Sequence, residues 1–185
     1  MRFLLIFVGA AILLATLSSC EGDSTQTNTD AQATTQEQTP SGVQTDFTAV
    51  PSGVSFSAAD LDGQMHHSSE WLGKMPVVIN VWGTWCPPCR REIPDLIRVY
   101  NEFRDQGIEM VGLAVRDTPE KVRKFTAQNE MEWVMLIANP QTTTTLGRVG
   151  GVPTTIFYDR EGNEVERFVG ARTYEVFKQT FEKIL

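Results

Sequence analysis

Two thiols separated by two prolines, Cys86-Pro87-Pro88-Cys89, are the groups in this chain best suited to covalent chemistry. A thiolate attacks a disulfide sulfur, a mixed disulfide forms, and a second thiol releases it. Cys86 falls at the expected N-cap of a helix that opens at Pro87. There, unpaired backbone N–H groups and the positive helix end stabilise a thiolate. Pro87 and Pro88 carry no N–H, so the amides of Cys89 and Arg90 are the first-turn donors left for the sulfur. Cys89, one turn in, is the candidate buried thiol that resolves the mixed disulfide. A bridge across so short a loop removes little chain entropy, which disfavours a purely structural staple.

The elements that must hold this pair are legible on either side of it. Residues 77–82 form an unbroken apolar run with β-branched members around a single Asn80, as expected of a strand buried on both faces. The following helix shows Ile93, Leu96, Ile97, Tyr100 and Phe103 on one face. Pro94 lies inside it and is expected to kink it, because its ring clashes with the Arg90 carbonyl. Trp85 is expected beside an exposed Cys86 sulfur, part of a docking surface with Pro87 and Pro88.

Further strands are expected at residues 108–115, 133–137, 154–158 and 165–169. A helix capped by Thr118 should run to about Asn129, and residues 173–185 should form an amphipathic closing helix. The threonine-rich run 142–145 after Asn139-Pro140 is a poor helix former. Ahead of the central strand, Val54, Phe56 and Ala58 alternate and Asp62-Gly63 marks a hairpin turn, with Ser68 or Ser69 as a cap for residues 70–72. The order predicts an α/β fold, a mixed sheet with helices on both faces.

Trp85 to Cys89, with Glu92 and Pro94 following, resemble the TlpA/ResA-like branch of the thioredoxin superfamily, membrane-anchored thiol–disulfide oxidoreductases. Gly150-Gly151-Val152-Pro153-Thr154-Thr155, some 65 residues downstream, resembles the loop of that fold whose proline is cis. The resemblance covers residues 54–185 and implies a thioredoxin-like fold with an N-terminal hairpin extension. It also implies that Val152 offers a partner its backbone, much like an added strand, while Pro153 shapes the groove. Thioredoxin proper has a buried aspartate at the strand position of Asn80, which cannot titrate and is read as structural support. Glu92 shares a helix face with Cys89. Members of the branch have a glutamate there, and the resemblance implies that Glu92 manages the proton of the buried cysteine. The competing reading is a surface glutamate paired with an arginine.

Residues 1–19 read as a signal peptide: Arg2, an apolar run too short for the ~20 residues of a membrane span, then Leu17-Ser18-Ser19-Cys20, which resembles a lipoprotein lipobox. Cys20 is the candidate lipidated residue, and this accounts for the third cysteine. Residues 20–50 are polar, acidic and without basic residues, and read as a disordered tether spanning roughly 30 Å. Residues 51–185 form the expected domain. Its charge is only mildly acidic, with no basic patch to suggest nucleic acid. Lipidation implies an extracytoplasmic, membrane-anchored protein in a compartment where disulfides persist.

The resemblance implies no cofactor beyond the Cys86–Cys89 pair. It further implies reduction of disulfides in exported proteins such as apocytochrome c, with recharging by a membrane thiol-electron donor. A disulfide-donating oxidase on the same fold stays open. A metal-binding or copper-delivery protein is the weaker alternative. Of the two histidines, His66 and His67 are adjacent, point to opposite faces of a strand and stand far from the cysteines in sequence. A peroxidase would need its cysteine in a Pro-x-x-x-Thr/Ser-x-x-Cys setting, which Trp82-Gly83-Thr84-Trp85-Cys86 does not provide.

Overall fold

The computed structural model describes residues 53–147 and 149–185. The strand that leads to the cysteines is β3, Val77–Trp82, every residue of which is buried. A strand loses its edges only when neighbours bond it on both sides, and β3 has both. It runs parallel to β4, Glu109–Ala114, and antiparallel to β6, Thr154–Tyr158. Three more strands join these: β1 (Ser57–Asp60), β5 (Val134–Ile137) and β7 (Glu164–Val169). With the three-residue β2, Met65–His67, they complete a sheet in the order β2-β1-β5-β4-β3-β6-β7. The expected mixed sheet with its hairpin extension is therefore present.

Alternation along β3 divides the core. Val78 and Trp82 face a cluster with Leu96, Val99 and Phe103 of α1 (Pro87–Phe103), Val122 of α2 (Pro119–Gln128), and Phe177 and Phe181 of α4 (Tyr174–Ile184). Val77, Ile79 and Val81 face the opposite cluster, with Trp71, Leu72, Val111, Leu113 and Leu146. Asn80 belongs to the α1 side by the same period of two. The register Val81↔Thr154 brings the end of β3 beside the start of β6, and this places the two site motifs together.

Local chemistry accounts for the departures from expectation. Ser68 and Ser69 do not cap a helix. A 3-10 turn occupies Ser68–Glu70 with His67 at its N-cap, and Ser68 Oγ instead receives the Phe56 amide at 3.1 Å. The threonine run does form a short helix, α3, Pro140–Thr145. Asn139 caps it through the Thr142 amide at 2.9 Å, while the hydroxyls of Thr143, Thr144 and Thr145 donate back to carbonyls one turn earlier. α1 continues through Pro94 to Phe103. Gly107 ends the return loop at φ 89°, a conformation costly for other residues. The expected signal peptide, Cys20 and tether lie outside the described residues.

Candidate active site

Cys86 has extended backbone angles and stands at the N-cap of α1, with Pro87 and Pro88 as its first two helical residues. It is joined to Cys89 by a disulfide, with Cα atoms 5.3 Å apart. The Cys89 N–H donates to Cys86 Sγ at 3.2 Å. The Arg90 N–H, the other expected donor to the sulfur, instead bonds the Cys86 carbonyl at 3.1 Å. One amide, not two, therefore serves the sulfur. The expectation of an exposed sulfur also needs correction: Cys86 is 2% exposed and Cys89 fully buried. Trp85, the residue before Cys86, is 44% exposed.

The Val152–Pro153 peptide bond is cis. The Val152 carbonyl lies 3.6 Å from Cys86 Sγ. A disulfide sulfur carries no hydrogen, so this is a contact in the oxidised state and an S–H···O bond only once the thiol forms. The loop is pinned on both sides, by Thr154 Oγ1 donating to the Gly151 carbonyl at 2.7 Å and the Gly170 amide donating to the Pro153 carbonyl at 2.8 Å. Pro153 is buried, whereas Val152 is partly open to solvent, as a backbone-presenting residue requires.

Behind the cysteines, Glu92 is 2% exposed, so it is not the surface glutamate of the competing reading. Asn80 Nδ2 donates to Glu92 Oε1 at 3.1 Å and to Thr155 Oγ1 at 3.0 Å. Glu92 Oε2 is buried with no hydrogen-bond partner among the described residues. Burial pushes the carboxyl up to about 7, against the opposing pull of the Asn80 amide and of Arg172. Such a group gains or loses a proton near neutral pH.

Sequence reasoning missed the residues that hold the loop before Cys86. Asp117 accepts from the Thr84 amide at 2.7 Å and from Thr84 Oγ1 at 3.1 Å. Trp85 Nε1 donates to the Val115 carbonyl at 3.0 Å, and the Arg116 guanidinium stacks 4.4 Å from the Trp85 ring. Gly83 makes this possible, because a Cβ there would stand 2.6 Å from Trp85 Nε1. The only signal was Asp117 beside a helix cap, which does not reveal a partner 33 residues away. Thr155 was quoted within its motif but given no role. The histidines are not brought to the cysteines. His66 lies between Asp60 and Glu70 with both ring nitrogens engaged, and His67 Nδ1 bonds Ser57 Oγ.

Residues 49–168 match the AhpC/TSA family. The thiol-disulfide oxidoreductase ResA of Geobacillus thermodenitrificans (strain NG80-2) is 33% identical over 143 residues, 76% of this chain and 82% of that protein. This chain is a ResA-like member of the AhpC/TSA family. Its ResA relative from Bacillus anthracis is 31% identical over 129 residues, 70% of this chain and 74% of that protein. Among solved structures, a thiol:disulfide interchange protein of the thioredoxin family from Chlorobium tepidum TLS is 29% identical. It has a TM-score of 0.65 and covers 72% of this chain and 94% of its own. The MTB protein dsbF, solved in mixed oxidised and reduced forms, is 25% identical with a TM-score of 0.66, covering 74% and 99%. The ResA-like chain has the thioredoxin-like fold and is a thiol–disulfide oxidoreductase. Among the described residues no helix is long and apolar enough to cross a membrane.

Proposed function

We propose that this chain works outside the cytoplasm, anchored by lipid on Cys20, and reduces disulfides in exported proteins such as apocytochrome c. In this reading residues 1–19 are removed, residues 20–50 tether the domain, and residues 51–185 carry the reaction. A membrane thiol-electron donor restores the dithiol, and no cofactor beyond the Cys86–Cys89 pair takes part. Cys86 gives up its proton to solvent and attacks the partner disulfide as the thiolate; the partner S–S bond breaks, and the leaving sulfur takes up a proton from solvent. Cys89 then gives its proton to Glu92 and attacks Cys86, and that proton passes from Glu92 to the second partner sulfur as it leaves. Two electrons and two protons thus move to the partner, and the Cys86–Cys89 disulfide remains. Glu92 holds and returns the proton of Cys89, its carboxyl poised near neutral pH.

The observation that supports a reductant is the single amide on Cys86 Sγ. A strong oxidant owes its potential to a stabilised reduced form. Here Pro87 and Pro88 remove two first-turn donors and Arg90 spends a third on a carbonyl, so the Cys86 thiolate receives little help. The buried Glu92 adds negative charge on the same side when ionised. Equilibration of the pair in defined thiol buffers tests this. A potential near about −270 mV is expected, and one near about −120 mV would assign the chain to disulfide donation instead.

A further inference from the structure

A groove of about 530 Å³ opens beside the site, and its lining includes Val152, whose carbonyl touches Cys86 Sγ. Its floor and walls include Val115, Ala138, Pro140 and Val149, and Arg116 stands on its rim. A polypeptide that reaches Cys86 past Val152 therefore has an apolar channel to follow, which leads it to a guanidinium.

Arg116 is unusual in three respects. Its φ of 51° is left-handed, a region rarely occupied by residues with a long side chain. Strained backbone of this kind concentrates at functional sites. Its guanidinium lies over the exposed Trp85 ring, 4.4 Å from the centroid, and no hydrogen bond of its N–H groups is made among the described residues, so they are open to an acceptor. Among the described residues it pairs with no carboxylate: the ion pairs of arginine and lysine are all elsewhere. Its neighbour Asp117 turns both carboxylate oxygens to Thr84 and forms no ion pair with it, although its charge stays nearby. Arg90 and Arg91, exposed beside Pro87, likewise enter no ion pair among the described residues, so three guanidinium groups against the one carboxylate of Asp117 leave this rim net positive on a chain whose net charge is −7.

We infer that Arg116 is a specificity residue that reads an acidic side chain close to the partner's reactive cysteine, while an apolar side chain of the same extended segment enters the groove. This rests on the thiol–disulfide exchange reading and is independent of its direction. A positive rim attracts an acidic segment and repels a basic one before any bond forms, so the effect falls on the rate of encounter and weakens with salt.

The test uses the full chain and three peptides, each holding one intramolecular disulfide and differing only in the residues that flank the cysteines: Glu, Gln or Lys. Exchange is followed in both directions, from reduced protein to peptide disulfide and from oxidised protein to peptide dithiol. The preferred direction reports on the reductant reading, and the ranking of the three peptides reports on Arg116. The expected ranking is Glu over Gln over Lys, with about a threefold to fivefold step between neighbours, the size of a partly exposed ion pair. It should shrink in high salt. Arg116→Gln should abolish most of the ranking. Arg160→Gln, an equal change of charge at the opposite end of β6 from Pro153, should preserve it. Equal rates for all three peptides, a ranking that survives in Arg116→Gln, or no exchange in either direction would overturn the inference.

Discussion

Two carboxylate clusters in this molecule are built from similar parts and end in opposite states. At the hairpin, Asp60 and Glu70 flank His66. Asp60 Oδ1 takes the amides of Asp62 and Gln64, Glu70 Oε1 takes the His67 amide, and the remaining oxygen of each faces a ring nitrogen of His66. Every acceptor is used. Desolvation works against the charge of both carboxyls, but these bonds outweigh it and hold both below the usual range. His66 is pulled up, first by its bond to Glu70, against desolvation, and then by Asp60. At the active site, Glu92 has a side-chain donor on Oε1 only, Oε2 without a close partner, and a pull from Arg172 too weak to offset burial. A saturated cluster fixes its charges and serves as a staple. An unsaturated one keeps a proton in play, and it stands where proton transfer is needed.

The sharpest way to break this contrast is to remove the chemistry from the second cluster. Cys89→Ser should accumulate a covalent partner complex that thiols release, seen by non-reducing electrophoresis, and Cys86→Ser should form none. Equal trapping by both would reverse or remove the assigned roles. Next comes the cost of the unsatisfied carboxyl. Glu92 titrates at 4.5 when unfolded and about 7 when folded, so the native state holds its proton longer. Stability is full below 4.5 and declines as pH rises to about 7, by about 3 kcal/mol in all. Glu92→Gln should therefore be more stable than the parent by about that amount at pH 8 in urea unfolding, and equal to it at pH 4. It should also flatten the pH dependence of disulfide exchange around neutrality. A parallel pair of stability curves would show that Glu92 is not held protonated.

Asn80→Ala then deprives Glu92 Oε1 and Thr155 of their shared donor. A loss of about 2 kcal/mol is expected, together with a further rise of the Glu92 titration. The smallest effect belongs to the staple. His66→Asn should cost about 1 kcal/mol or less, as for a partly exposed pair with Glu70. Because the folded His66 titrates above 6.5, its contribution is present below that pH and fades as pH rises through the raised value. Hydrogen exchange of the β1 and β2 amides, faster at pH 9 than the chemical rate alone predicts in the parent, should lose that excess in the variant.

What was legible in the sequence was whatever local chemistry dictates. Cys86-Pro87-Pro88-Cys89 announces a helix start and a thiol pair at once, and Val152-Pro153 stands out beside it. Strand and helix positions followed from apolar periodicity, with ends shifting by a residue or so, as at Glu164 and Val134. What was not legible depends on contacts between distant residues. Asp117 bonds Thr84 across 33 positions, and Asn80 bonds Thr155 across 75. No propensity reports such pairs. Burial of Cys86 is of the same kind, since its cover comes from a loop 66 residues later. The helix at residues 140–145 was obscured for a different reason. Threonine disfavours helices by its side-chain stiffness, but its hydroxyl bonds to the preceding turn and Thr142 also donates to the Ser57 carbonyl.

The pairing of β3 with β6 has a consequence for the birth of the protein. A chain emerging from its N-terminus presents Cys86 and Cys89 well before Val152, Pro153 and strand β6 have followed. During that interval the two thiols lack their cover, and Asn80 behind them lacks its partner Thr155. Whatever oxidant or stray thiol meets the chain then meets an unguarded pair. The selectivity of the finished site is thus acquired only as the end of the chain appears, and a truncated product would carry the reactivity without the restraint.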